Sequence, residues 1–247
     1  TGVNPMQKND FQTISRKAVR GAFSLTARRI ILLGINVVTL NIILAKILPV
    51  SMLGTFIIAN SVLAFFAFFS DIGLAGALIR KKDLTRDDLK TTFTIQEILA
   101  VILTLIVFIS APLLADIYKI GDEGIWLIRA LSAGFFLTSL KVIPSVILER
   151  DLNFGKLVWV ELIETLIFNA SLIILTRLEF GLSAFTYSVL VRGVLGVFSI
   201  YLIAPWGPSF GFSKSSAKEL LSFGVPFQLN SMLALLKIAR GYFSTSK

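Results

Sequence analysis

The 247-residue chain contains no cysteine and no histidine. Disulfides and thiol chemistry are therefore excluded. With histidine go the commonest general base and the commonest metal ligand. Charge is scarce too: Asp, Glu, Lys and Arg make up 16% of the residues, against about 25% in an ordinary soluble domain. That is too little polar side chain to clothe a globule of this length in water. A hydrophobic fraction of 55% excludes disorder as well. No phosphate-binding glycine loop, metal-ligand cluster or nucleophile–base set is present, and Gly73-Leu-Ala-Gly76 lies inside an apolar run. Neither a cofactor nor a metal is expected, and no enzyme.

What is present is long apolar sequence, with a mean hydropathy of +0.82. A spanning helix needs about 20 mostly apolar residues. Seven stretches qualify, at 22–45, 52–79, 91–115, 125–148, 157–176, 182–205 and 221–243. Residues 98–115 alone run for 18 positions without a charge. Strands of a membrane barrel would be shorter and would alternate. The expected fold is an all-α polytopic membrane bundle. It divides into a basic segment at 1–21, a six-helix bundle at 22–205, an amphipathic linker at 206–220 and the start of a second bundle at 221–247. No signal peptide is visible in the polar, basic start. A chain that begins with Thr and stops just after an apolar segment reads as part of a longer protein.

The formal charge is +9. On so apolar a chain it records topology rather than nucleic-acid binding. Loops on the side of the N-terminus carry 15 Lys and Arg, and the opposite loops carry only Lys46, Lys119 and Arg177. By the positive-inside rule the N-terminus is cytoplasmic. The basic loop 80–90 also offers some attraction to anionic membrane lipids.

Ionisable residues inside spans point to bundle interiors or wet cavities. The cations are Arg129, Lys141, Arg192, Lys237 and Arg240; the acids are Asp71, Glu97, Glu161 and Glu164. The span containing Lys141 has 12 Leu, Ile, Val or Phe between Leu127 and Leu148, which favour insertion by roughly 4–7 kcal/mol. Arg129 and Lys141 together cost roughly 5–7 kcal/mol if both lie deep, so this helix needs a partner. Glu161 and Glu164 share a face of the next helix. At 1.5 Å per residue, Lys141 and Glu164 both lie about 10 Å from the cytoplasmic end. An ion pair holding two helices in register is the structural reading; a proton- or cation-responsive relay is the functional one. Arg192 lies about 15 Å deep, near mid-membrane, with no acid clearly at its level. An unpaired Arg there suits an anionic ligand, because its planar fork holds phosphate oxygens bidentately. Lys237 and Arg240 would add charge to the same cavity, and Asn36 and Asn41 are either interhelical partners or cavity groups. The run Phe65, Phe66, Phe68 and Phe69 reads as packing, Gly73 and Gly76 as a close helix approach, and Pro144 and Pro226 as helix kinks.

Several segments are together similar to one family. Leu44-Ala-Lys-Ile-Leu-Pro49 with Gly54 resembles the first outer turn of bacterial polysaccharide-biosynthesis flippases, within the multidrug/oligosaccharidyl-lipid/polysaccharide exporter superfamily. Lys46 stands where that turn usually has Arg. Ser70-Asp-Ile-Gly-Leu-Ala-Gly-Ala-Leu-Ile-Arg80 with Lys81-Lys-Asp-Leu-Thr85 looks like the end of the second helix and its turn. Pro144 through Leu148-Glu-Arg-Asp-Leu-Asn-Phe154 looks like the fourth helix exit. Ala204-Pro-Trp-Gly-Pro208 followed by Leu221-Ser-Phe-Gly-Val-Pro226 resembles the link between halves. The resemblance implies two six-helix halves around a cavity that opens alternately to each side. The substrate would be undecaprenyl-pyrophosphate-linked oligosaccharide, moved across the inner membrane for exopolysaccharide or O-antigen assembly through a cationic cavity. Polysaccharide polymerase machinery is a candidate partner. These residues alone would not transport, and no invariant motif carries a site over. A multidrug or cation exporter of the same superfamily, a membrane glycosyltransferase or polymerase, and a non-transporting scaffold are the alternatives. An exporter should have an acidic or aromatic cavity, and an enzyme should have a soluble domain or a large outer loop.

Overall fold

A computed structural model describes residues 30–39, 48–70, 72–204 and 206–244, with backbone only at 68–70, 231–232 and 235–244. A helical stretch at 30–39 is followed by eight helices: α1 (Val50–Ser70), α2 (Leu74–Arg80), α3 (Arg86–Tyr118), α4 (Gly121–Ser139), α5 (Val142–Arg150), α6 (Phe154–Arg177), α7 (Ser183–Ile203) and α8 (Lys214–Ser244). Among the described residues there is no strand, so the fold is all-α.

Among the described residues four helices, α1, α3, α6 and α7, are long and apolar enough to cross a membrane, and the pair α4–α5 makes five if taken as one bent span. These are the middle five of the seven expected stretches. Most of the first expected stretch lies outside the described residues, as do Asn41, Lys46 and Asp71, and the last runs into residues described only by backbone.

Long helix α3 shows how the bundle sorts its side chains. Phe93, Ala100, Val107, Ala111 and Ala115 are buried along one stripe, while Ile98, Ile102, Leu105, Ile109 and Leu113 lie exposed on the other side. The inward stripe is rich in small residues, which let helices approach in lipid. An outward row of large aliphatics would be a liability in water and suits acyl chains. The helix starts on a capping box: the Thr85 hydroxyl accepts from the Asp88 N–H, and the Asp88 carboxylate accepts from the Thr85 N–H. It ends at Lys119 in the left-handed conformation.

Two of the expected stretches are broken, the second beside the proline expected to kink it. The stretch 52–79 divides before α2, where Gly73 adopts a φ of 73°. A side chain there would run into the backbone of Gly224, and a side chain on Gly224 would meet the Ile72 carbonyl at 2.7 Å. This approach of α8 to the start of α2 needs glycine on both sides. The stretch 125–148 bends by 41° between α4 and α5. Pro144 has no N–H to give the Leu140 carbonyl one turn back. The Tyr201 hydroxyl of α7 donates to that carbonyl instead, at 2.9 Å. Pro226, by contrast, sits inside α8 without interrupting it.

The expected linker, 206–220, has two parts. Residues 206–213 are pinned to α3: Trp206 and Phe210 pack on Phe93 with ring centroids 5.1 and 5.3 Å away. The Gly211 and Ser213 N–H groups donate to the hydroxyls of Thr94 and Thr91. From Lys214 the chain is helical straight through position 220 into α8. At the end of α5, Arg150 donates to the carbonyls of Leu78, Ile79, Lys81 and Lys82, capping α2.

The α4–α5 bend divides the interior. One core gathers Ala59, Val107, Leu127, Leu131, Phe168 and Phe185 around α4; another gathers Leu74, Leu78, Phe93, Ile143, Val146 and Leu220 around α5. The joint between them carries Lys141.

Candidate functional site

Lys141 is the second of the two residues between α4 and α5, and the bend turns it toward α6. Its Nζ lies 2.6 Å from Glu164 Oε1. From α7, Arg192 Nε lies 3.7 Å from the other oxygen, Oε2. One carboxylate thus serves two cations. Lys141 and Glu164 are nearly buried, at 12% and 6% side-chain exposure, whereas Arg192 is 50% exposed. The Arg192 guanidinium also stands 5.8 Å from the centroid of the Phe168 ring, at the outer range of a cation–π contact. The expectation that Arg192 lacks an acid partner is corrected: Glu164 is its partner.

Gly196 makes this arrangement possible. A Cβ there would come within 2.5 Å of Glu164 Oε1 and 2.7 Å of its carboxyl carbon. The carboxylate occupies space that any side chain at 196 would take. One turn earlier, Gly193 leaves similar room for Leu137 of α4. No spacing signal in the sequence marks Gly196 as the seat of a charge.

Two cavities meet at these residues. The larger, about 470 Å³, is bounded by α2, α5, α6, α7 and the stretch 30–39, and includes Asn36, Ser145, Glu149 and Glu161. The smaller, about 190 Å³, lies toward α1 and includes Phe56 and Asn60. Thr138, Lys141, Glu164, Phe168 and Arg192 line both. The ion cluster is therefore the partition between them. The lining is not cationic as expected: among the described residues Lys141 and Arg192 face Glu149, Glu161 and Glu164.

The other candidates divide as follows. Asn36 lines the larger cavity and accepts a hydrogen bond from Asn169 Nδ2 at 3.3 Å, so it is both cavity group and interhelical partner. Glu161 lines the same cavity, but Lys141 is held by Glu164. The side chains of Lys237 and Arg240 lie outside the described residues. Arg129 is on the bundle exterior, stacked near Phe108 and Trp126 at 4.8 and 5.1 Å. Glu97 is buried and accepts from the Ser139 hydroxyl at 3.0 Å, at the last residue of α4. Sequence spacing gave no hint of that contact. Among the described residues no group of His, Cys, Asp and Glu could hold a metal ion.

The family model for polysaccharide biosynthesis proteins matches residues 43–240. The chain belongs to this family. Within the polysaccharide biosynthesis proteins it is 28% identical over 166 residues to the teichuronic acid biosynthesis protein TuaB of Bacillus subtilis (strain 168), covering 66% of this chain and 34% of that protein. It is 23% identical over 149 residues to the lipopolysaccharide biosynthesis protein WzxC of Escherichia coli (strain K12), covering 60% of this chain and 30% of that one. The chain thus spans about a third of the length of these curated relatives. No solved structure matches. The matched region contains the bend, the ion cluster and most of α8.

Proposed function

We propose that this polysaccharide biosynthesis protein moves undecaprenyl-pyrophosphate-linked oligosaccharide units across the bacterial inner membrane without chemical change, by alternating access. The N-terminus would be cytoplasmic, residues 22–205 would form one six-helix half, and residues from 221 would begin the second. The observation that carries this reading is a cavity of about 470 Å³ with charged residues in its lining, between apolar membrane helices, with Arg192 half exposed at its edge. The volume is in the range of pockets for drug-sized molecules, which suits a pyrophosphate and its first sugar. The family and the names of its relatives, which concern cell-surface polysaccharides, support the substrate class. In this reading Arg192 holds the pyrophosphate, the sugars pass through water and the prenyl tail stays in lipid. Polymerase machinery on the far side would take the product.

The carboxylates of Glu149, Glu161 and Glu164 favour a second reading, an exporter of organic cations. One experiment separates the two. The full-length protein is reconstituted into vesicles carrying a polyprenyl-pyrophosphate-linked oligosaccharide in one leaflet, and sugar arriving at the other is read with a lectin. Arg192→Ala should slow arrival at least about tenfold, the order of a lost charge-assisted contact of about 1.5 kcal/mol or more, with insertion unchanged. Unaltered arrival would remove Arg192 from the site. Uptake of a cationic dye with no flipping would favour the exporter.

A further inference from the structure

The two cations of the cluster do not hold Glu164 equally. Lys141 makes a short bond from a nearly buried position, with Oε1 seated against Gly196. Arg192 lies at 3.7 Å, beyond hydrogen-bonding distance, and its side chain is half exposed. None of its five N–H groups donates to a described residue. The guanidinium is attracted to Glu164 but not fastened to it.

On the reading that the cavity takes an anionic headgroup, we infer that Glu164 is a built-in competitor for Arg192 and sets how much negative charge a ligand must carry. A single carboxylate or halide offers Arg192 little that Glu164, tethered alongside, does not already supply. A pyrophosphate offers several oxygens and the geometry for a bidentate fork. Taking Arg192 from Glu164 breaks one loose contact. It does not strand a buried acid, because Lys141 still neutralises the carboxylate. Glu164 cannot follow the guanidinium, held as it is by Lys141 and closed in by α7 at Gly196. Arg192 lines both cavities, so the freed guanidinium meets ligand in either. The acid lowers the affinity of every anion by a common factor, so a ligand must offer Arg192 several oxygens to bind at all, and a monoanion falls below that threshold.

The test is calorimetric titration of the purified protein in detergent micelles with inorganic pyrophosphate, phosphate and acetate. Glu164→Gln should bind pyrophosphate and phosphate at least about tenfold tighter than wild type, within the usual span of coupling between sites. Acetate should gain by the same factor. Because that variant leaves Lys141 without its counter-ion, the double variant Lys141→Gln/Glu164→Gln is measured beside it. It removes one charge of each sign and should bind tighter too. Arg192→Gln should lose binding in either background. If wild type binds pyrophosphate through Arg192 but neither glutamate variant binds tighter, the competitor is overturned and the anion site stands. If Arg192→Gln binds as wild type does, or no variant binds, the anion-site reading itself fails.

Discussion

One carboxylate shared by two cations, and one cation shared by two carboxylates, occupy two levels of the same bundle. Inside it, Glu164 faces Lys141 and Arg192. At the turn after α2, Lys81 Nζ lies 3.0 Å from Asp88 and 2.9 Å from Glu219 at the start of α8. Glu219 is 61% exposed, whereas Glu164 is only 6% exposed. Water competes for the first carboxylate and not for the second. Charge at the rim therefore fastens α8 weakly and reversibly, while charge at the bend is obligatory once the chain has folded around it.

This contrast is open to direct attack. The largest effect belongs to Glu164→Ala, which leaves Lys141 buried without a counter-ion and should cost about 3–5 kcal/mol, read as a fall in unfolding midpoint in micelles. Reversing both partners, Lys141→Glu with Glu164→Lys, should recover only part of this loss, because the new lysine faces Arg192. Full recovery would mean that Arg192 does not sense position 164.

A buried neutral contact should fall between the extremes. Tyr201→Phe leaves the Leu140 carbonyl without its donor and should cost about 1–3 kcal/mol. Adding Pro144→Ala restores an N–H one turn on and should return part of it; no recovery would show that the phenol acts elsewhere.

The smallest effect belongs to Glu219→Gln, at most about 1 kcal/mol and weakened by salt. The hydrogen bond to Glu219 is the main influence raising the Lys81 ammonium above its ordinary pKa of 10.5, with burial opposing and Asp88 assisting. A raised lysine stabilises fully below its unfolded pKa and loses that contribution as pH climbs through the folded one. The difference between wild type and Glu219→Gln should therefore be flat from neutral pH to about 9 and close only above the ordinary lysine range. A dependence near neutrality would count against this picture.

Much of this could be read from the sequence because lipid is a demanding solvent. Apolar length located four of the middle spans, or five with α4–α5 taken as one bent span, and equal depth along neighbouring helices led to Lys141 and Glu164, which lie 2.6 Å apart. Depth counted along the backbone leaves Arg192 without a partner, because it ignores the length of the side chain. Its level and that of Glu164 differ by only about 5 Å at 1.5 Å per residue, less than the reach of an arginine side chain. Pro144 announces the bend in the fourth span, whereas the break at Gly73 has no such signal. Gly73 turns where it does because Gly224, distant in sequence, presses on it, and no local pattern carries that information. The mixed charge of the cavity was hidden likewise, since Glu149 reads as a residue of the helix exit and enters the lining only because α5 swings away from α4.

The hydrogen bond from Tyr201 to Leu140 has one more consequence. Tyr201 and Arg192 ride on a single unbroken helix, α7, nine residues or about 13–14 Å apart. A stiff rod cannot shift at one point and stay put at the other. On the proposed reading, a ligand that pulled α7 by its guanidinium would pull, through the phenol, on the elbow of the neighbouring helix.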